Sequence, residues 1–189
     1  TEALQFLRQY NIRGSVPVGR RVAVIGGGNA AIDAARTAIR LGAEEVTVLY
    51  RRTREEMPAY AEEIEEALQE GVTLRTLIHP EAFEVKNGRV AGVRCHPMKL
   101  GEFDRSGRRR PEDAAGVASE VLPADQVIVA IGQALDREAV AGSAEVACSD
   151  RGWIAADPRT GATALPWLFA GGDAVSGPSS VVEAIAAGE

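Results

Sequence analysis

Apolar and polar positions near the N-terminus follow a strand–helix–strand order. The segment 21–25 is a short apolar, β-branched run that predicts a strand, and three glycines follow it. Apolar residues, mostly alanine, then recur at helical spacing over 29–41, and Gly42 is placed to end that helix. The segment 45–50 is again apolar and predicts a second strand. This order indicates a βαβ unit of about 30 residues.

The remainder of the chain mixes helical and strand patterns. Asn87-Gly88 separates two alternating runs within 81–98, and this pair favours the turn of a β-hairpin. The polar segment 101–119 is rich in glycine, arginine and proline, and we expect it to be a long excursion on the surface. The other predicted elements are helices over 1–10, 60–70 and 179–187 and strands over 72–78, 124–131, 153–157 and 167–170.

The glycines after the first strand fit a dinucleotide-binding fingerprint. Gly26, Gly28 and Ala31 match G-x-G-x-x-A, in which the third small residue is glycine or alanine. Gly26 permits a tight turn, Gly28 lets a pyrophosphate approach the backbone, and Ala31 permits close helix–strand packing. The amides at the start of the helix then face an anion. An ordinary glycine turn is the alternative, but strand, spacing and helix all agree with the fingerprint.

The end of the second strand predicts which dinucleotide is bound. NAD-binding units place an acidic residue there, roughly 20 residues beyond the glycines, to bind the ribose 2′-OH. Here the position reads Tyr50-Arg51-Arg52, and no acidic residue follows until Glu55. Paired arginines suit a 2′-phosphate, and Arg54 adds a third positive charge. The sequence therefore predicts NADPH rather than NADH, the alternative being two solvated arginines at a strand end.

Composition and charge argue against several function classes. The net charge of −6 disfavours binding to nucleic acid and to an anionic membrane surface. No apolar run reaches the roughly 18–20 residues that span a bilayer, and the first residues do not resemble a signal peptide. Cys95 and Cys148 are far apart and form no C-x-x-C pair, so we expect neither a metal site nor a redox dithiol. This cysteine usage favours a cytoplasmic setting.

Several motifs resemble one group of flavoenzymes. The stretches are V-I-G-G-G-N-A-A-I-D-A-A-R (24–36), R-L-G-A (40–43), V-T-V-L-Y-R-R (46–52), E-M-P-A (56–59), M-K-L-G-E-F-D-R-S-G-R-R-R-P (98–111), V-I-V-A-I-G-Q (127–133) and F-A-G-G-D-A-V-S-G-P-S-S-V-V-E-A-I (169–185). They are similar to the NADPH-binding part of the glutamate synthase small (beta) subunit family and to the flavin module of dihydropyrimidine dehydrogenase. The resemblance covers nearly the whole chain. The spacing Y-R-R-x-x-x-E-M-P-A together with S-G-R-R-x-P is specific to this group.

The resemblance implies a fold and a domain plan. We expect an α/β, Rossmann-like, three-layer NAD(P)-binding domain with a parallel central sheet and an added antiparallel β-meander over 1–165. Residues 166–189 then correspond to the start of the C-terminal part of an FAD-binding domain whose first half is missing from this chain. The chain is thus expected to be a segment of a longer protein in which the NADPH domain is inserted into the FAD domain.

The resemblance also implies a function. NADPH passes a hydride to FAD in the intact protein, and electrons continue to an iron–sulfur or flavin partner such as a glutamate synthase large subunit. The isolated chain is expected to be inactive, and no catalytic side chain and no metal ligand are predicted. The residues expected to contact the cofactors are Gly26, Gly27, Gly28, Asn29, Ala30, Ala31, Arg51, Arg52, Arg54, Gly132 and Gln133 for NADPH and Gly172 and Asp173 on the flavin side.

Two other functions stay open from the sequence. The chain fits a non-catalytic NADP(H)-binding or assembly module, because binding alone needs no further residues. A thioredoxin-reductase-like enzyme is less favoured, because its C-x-x-C pair belongs inside this domain and none is present. The run 105–110 is interpreted as a solvated loop in preference to a docking site for a partner.

Overall fold

The computed structural model describes residues 1–103, 107–136 and 146–188. The chain divides into two units, Thr1–Ile131 and Gly132–Glu189. The helices of the first unit are α1 (Ala3–Arg13), α2 (Asn29–Arg40) and α3 (Ala61–Gln69), and Arg54–Glu56 forms a 3-10 turn. Its strands are β1 (Arg21–Ile25), β2 (Glu45–Leu49), β3 (Thr73–Arg75), β4 (Ile78–Lys86), β5 (Arg89–Phe103), β6 (Arg109–Asp113), β7 (Glu120–Pro123) and β8 (Gln126–Val129).

Four strands of the first unit form a parallel sheet in the order β3-β2-β1-β8. β1 lies inside this sheet, with Ile25 opposite Leu49 of β2 on one side and opposite Val129 of β8 on the other. α2 connects β1 to β2, and it begins at Asn29, directly after the glycine turn. The predicted βαβ unit is therefore confirmed. The carboxyl end of β1 opens onto this turn, which is the edge where open α/β sheets bind ligands.

The parallel sheet is covered on both faces, so the buried positions of its strands are apolar. Along β1, Val22 and Val24 pack with the helices, whereas Ala23 and Ile25 pack with the antiparallel sheet. Alternate residues of β8 divide in the same way. Three layers result, with helices, parallel sheet and antiparallel sheet in that order. The predicted three-layer α/β fold with an antiparallel β-meander is confirmed.

The antiparallel layer is built on the long strand β5. Asn87 and Gly88 have φ of 53° and 73° and form the predicted hairpin turn between β4 and β5. The first part of β5 pairs with β7, and its second part pairs with β6 from Met98 to Phe103. We call this pair of strands, with the residues that connect them, the β5–β6 ribbon. The segment 101–119 was predicted to be a surface excursion, but its described residues also form part of this ribbon. The predicted strand over 72–78 is likewise divided between β3 and the start of β4.

The second unit has little regular structure in its described part. The helices described there are α4 (Asp173–Ser176) and α5 (Val181–Ala186). Ile154 is buried, and its N–H donates to the carbonyl of Ala174 at 2.8 Å. The strands predicted over 153–157 and 167–170 are wrong, because Ile154 and Phe169 form only isolated bridges. Across the described residues of both units, no helix is long and apolar enough to cross a bilayer.

An ion cluster joins α2 to the C-terminal end of α3. Arg36 and Arg40 of α2 both reach the Glu70 carboxylate, with Nη2–Oε1 distances of 2.7 and 2.5 Å. Glu70 is partly buried at the end of α3. Hydrogen bonds from Arg40 and Arg36 lower the pKa of the Glu70 carboxyl from 4.5 to about 2. The cluster fixes α3, and α3 in turn carries one wall of the site described below.

Removal of the Glu70 charge tests this cluster. Because the folded-state pKa is depressed, the carboxylate stabilises the fold above pH 4.5 and loses this effect as the pH falls towards 2. At pH 7 we expect Glu70→Gln to lower the free energy of unfolding by about 1–2 kcal/mol in urea denaturation, since the group is partly solvated. Towards pH 3 the difference from the unsubstituted protein should shrink.

The matched control is Glu62→Gln, which removes one exposed carboxylate from the same helix. Its free energy of unfolding should stay within about 0.5 kcal/mol of the unsubstituted protein at each pH. If Glu70→Gln lowered the free energy of unfolding equally at pH 7 and pH 3, the result would contradict a stabilising role of the Glu70 carboxylate.

Candidate functional site

The glycine turn between β1 and α2 is packed closely on two sides. Gly26 has φ of 146°, and a Cβ there would lie 2.3 Å from the carbonyl oxygen of Ala130. A Cβ on Gly27 would lie 2.5 Å from two ring carbons of Tyr50. Both distances are shorter than any real Cβ contact, so packing inside the protein requires glycine at 26 and 27.

Gly28 differs from its two neighbours, because packing inside the protein does not require a glycine there. A Cβ would meet only the Cγ atom of Pro58, at an ordinary distance of 3.8 Å, and φ is −92°. Gly28 is also the N-cap of α2, and no side chain caps this helix. The turn thus presents backbone next to the N-terminus of a twelve-residue helix, where backbone amides attract an anion.

The other fingerprint positions lie in the first turn of α2. Ala31 is completely buried against the sheet, as expected for the residue that permits close packing. Ala30 is half-buried. The side chain of Asn29, predicted to contact a cofactor, accepts a hydrogen bond from the Tyr60 N–H at 3.1 Å. Asn29 therefore ties α2 to the start of α3.

The segment Met57–Tyr60 forms a wall beside the turn. The N–H of Ala59 donates to the carbonyl of Gly27 at 3.1 Å, and the contact of Tyr60 with Asn29 lies next to it. In the sequence, the overlapping stretch E-M-P-A (56–59) was noted only through its resemblance to a family. The structure shows that its backbone bonds hold it against the glycine turn.

Tyr50 connects the turn to the rest of the site. It is buried at the end of β2, with its ring against Gly27. Its hydroxyl donates to the carbonyl of Glu56 at 2.8 Å and accepts a hydrogen bond from Nη2 of Arg108 at 3.3 Å. The aromatic residue at the end of β2 thus contacts the turn, the 3-10 turn and the β5–β6 ribbon.

The three arginines predicted to bind a phosphate lie in different surroundings. Arg51 is exposed at the end of β2. Arg52 is only 7% exposed, and its Nε donates to the carbonyl of Arg109 in the β5–β6 ribbon at 2.8 Å. Arg54 forms an ion pair with Glu65 of α3. Of the three, Arg51 is the one whose side chain is mainly in solvent.

Four predicted cofactor residues belong to the second unit. Gly132 has φ of 110° and, like Gln133, is exposed. Gly172 has φ of 57° and precedes α4. The Asp173 carboxylate accepts a hydrogen bond from the Ser179 N–H at 3.1 Å, so it holds the loop after α4. The roles of these four residues towards a cofactor stay predictions.

Comparison with known proteins places most of the chain in one family. The family model described as pyridine nucleotide-disulphide oxidoreductase matches residues 2–188. The chain is 49% identical over 186 residues to the NADP(+)-dependent formate dehydrogenase subunit beta of Moorella thermoacetica, covering 98% of this chain and 26% of that protein. It is 41% identical over 174 residues to the glutamate synthase (NADPH) small chain of Escherichia coli strain K12, covering 90% and 37%. It thus spans well under half the length of both relatives.

A solved structure shows the same fold at low identity. Mycobacterium tuberculosis FprA in complex with NADPH superposes with a TM-score of 0.74 and 20% identity, over 96% of this chain and 54% of that chain. At this identity the likeness concerns the fold alone. It agrees with the α/β architecture described above.

The different packing of adjacent glycines gives a test of the turn. We expect Gly27→Ala to lower the free energy of unfolding by about 1–3 kcal/mol, because the new methyl group overlaps the buried Tyr50 ring. For Gly28→Ala, whose methyl group has room, we expect a change within about 0.5 kcal/mol. Urea denaturation of both variants measures the difference. Equal loss of stability in the two variants would contradict the inferred difference in packing between Gly27 and Gly28.

Proposed function

This chain belongs to the pyridine nucleotide-disulphide oxidoreductase family, and on that basis we propose that it is the NADPH-binding part of a flavin-dependent oxidoreductase. The resemblance to the glutamate synthase small subunit, predicted from the motifs, is confirmed by the identity of 41% over 174 residues. Because the chain covers 37% of that relative, the activity of the whole protein is part of the proposal. NADPH, when bound, supplies a hydride that FAD accepts in the intact protein.

The observation that carries the proposal is the open backbone at Gly28. Two of the three glycines are explained by packing, whereas the third has room for a methyl group inside the protein. A ligand that approaches the backbone closely gives a reason for a glycine at this position. The uncapped N-terminus of α2 directs its amides to the same place, and this arrangement stabilises a pyrophosphate.

The charge at the end of β2 supports a 2′-phosphorylated dinucleotide. Arg51 is exposed where NAD-binding units carry an acidic residue, and a guanidinium there favours a 2′-phosphate. Arg52 adds positive charge next to Arg51, whereas Arg54 is paired with Glu65 of α3. The names of the two curated relatives also specify NADP(+) or NADPH. We therefore assign NADPH as the dinucleotide of this site.

The flavin half of the proposal rests on family membership and on two relatives. Residues 1–165 would form the NADPH domain, with Gly132 and Gln133 near the nicotinamide half of the ligand. Residues 166–189 would begin the C-terminal part of the FAD domain, with Gly172 and Asp173 on the flavin side. Both relatives are subunits by name, which supports onward transfer of electrons to an iron–sulfur or flavin partner subunit.

Substitution of Gly28 tests the pyrophosphate site. In Gly28→Ala the added methyl group occupies the space through which the pyrophosphate would approach the backbone. We expect NADPH affinity, measured by fluorescence titration, to fall at least about ten-fold. The small stability change predicted above separates this effect from unfolding. Undiminished NADPH affinity in a folded Gly28→Ala variant would refute binding over the turn.

Substitution of Arg51 tests the choice of dinucleotide. The unsubstituted protein should bind NADPH more tightly than NADH, because Arg51 gains a charge-assisted contact only with the 2′-phosphate. We expect Arg51→Ala to weaken NADPH binding about ten-fold and to leave NADH binding within about two-fold. The same titration with both nucleotides measures this. Equal affinity for NADPH and NADH in the unsubstituted protein would contradict the assignment.

A further inference from the structure

The β5–β6 ribbon is anchored at the end of β2, although its arginines are remote in sequence. Nε of Arg52 donates to the carbonyl of Arg109, 57 residues further along the chain. The N–H of Arg109 donates to Oε1 of Glu56 at 3.3 Å, and Nη2 of Arg108 donates to the Tyr50 hydroxyl at 3.3 Å. Both residues that flank Arg51 therefore contact the ribbon.

The arginines of the ribbon differ in what their guanidinium groups do. Arg109 donates from Nε to the carbonyl of Gly101 at 3.2 Å and from Nη2 to that of Leu100 at 3.1 Å, so it holds the ribbon together. Arg108 is exposed, and its Nη2 donates to the hydroxyl of Tyr50, whose ring packs on the glycine turn. Its charge is therefore located at the site itself.

The arrangement brings two guanidinium groups to the end of β2. The guanidinium of Arg52 contacts the ribbon, and that of Arg108 contacts Tyr50. Arg51 lies between Tyr50 and Arg52 in the sequence. A phosphate monoester with two negative charges suits several guanidinium donors at once.

We propose that Arg108 is a specificity-determining residue that binds the 2′-phosphate of NADPH together with Arg51. Arg52 is then a positioning residue, because it is nearly buried and acts through the carbonyl of Arg109 that it holds. This inference rests on the proposed NADPH site and adds to it a side chain from a separate element. It also assigns different roles to the two adjacent arginines of the Y-R-R motif.

The test compares nucleotides with and without the 2′-phosphate. We expect Arg108→Ala to weaken NADPH binding about ten-fold in fluorescence titration and to leave NADH binding within about two-fold. Competition by 2′-AMP, which carries the phosphate without the nicotinamide, should weaken by a similar factor. Arg108→Lys should recover part of the affinity, because it restores the charge but not the planar fork.

The matched control is Arg89→Ala, which removes the same charge from the opposite end of β5. It should leave both nucleotide affinities unchanged, which excludes an effect of net charge. Arg52→Ala should weaken NADPH binding selectively, but not further in the Arg108→Ala background, since Arg52 acts through the ribbon. A purely structural Arg52 would alter stability without altering the NADPH-to-NADH affinity ratio.

The outcomes separate the two proposals. An unsubstituted protein without preference for NADPH overturns the NADPH assignment and, with it, the role of Arg108. A clear preference that survives unchanged in folded Arg108→Ala overturns the role of Arg108 alone. An equal loss of NADPH and NADH binding in Arg108→Ala also overturns the role of Arg108, because the residue then supports the glycine turn and does not bind the 2′-phosphate.

Discussion

The contact between the Gly27 backbone and the Tyr50 ring is the constraint on which this site depends. A single methyl group at Gly27 would overlap the ring, so β1, α2 and β2 approach each other as closely as backbone and aromatic ring allow. The Tyr50 hydroxyl then fixes the Glu56 carbonyl, and the wall that follows bonds back to Gly27. The glycine turn, the end of β2 and the wall therefore each contact the next, and a shift in one would move the others.

The net charge of the chain and the local charge near the glycine turn have opposite effects on a bound anion. The protein carries a net charge of −6 and at long range repels a polyanionic dinucleotide. The proposed binding of NADPH therefore requires positive charge and helix amides at short range, where screening by salt is weakest. In the proposed site, Arg51 and the uncapped N-terminus of α2 would supply this at one edge of the sheet. The Glu66 and Glu70 carboxylates pair with Arg36 of α2, whereas Glu65 of α3 pairs with Arg54.

Much of the fold followed from the sequence because its strongest signals are local. The glycine turn, the apolar strands and the Asn87-Gly88 hairpin each depend on neighbours in sequence, and all three are present. The surroundings of Arg52 could not be predicted, because an arginine at a strand end is usually solvated and its acceptor lies 57 residues away. The ribbon was missed for a similar reason: its polar, proline-containing strand pairs at the margin of a sheet, where little apolar burial is needed.

The bond between Arg52 and the ribbon also bears on how such a protein can change over time. Arg52 is 7% exposed and donates to a backbone carbonyl, so the acceptor is set by the length and register of the ribbon and not by the identity of a side chain. Shortening the ribbon would remove the acceptor of the Arg52 Nε hydrogen bond, and loss of a hydrogen bond to a charged group lowers stability. A substitution of Arg52 and a change in the length of the ribbon are thus expected to have non-additive effects on stability.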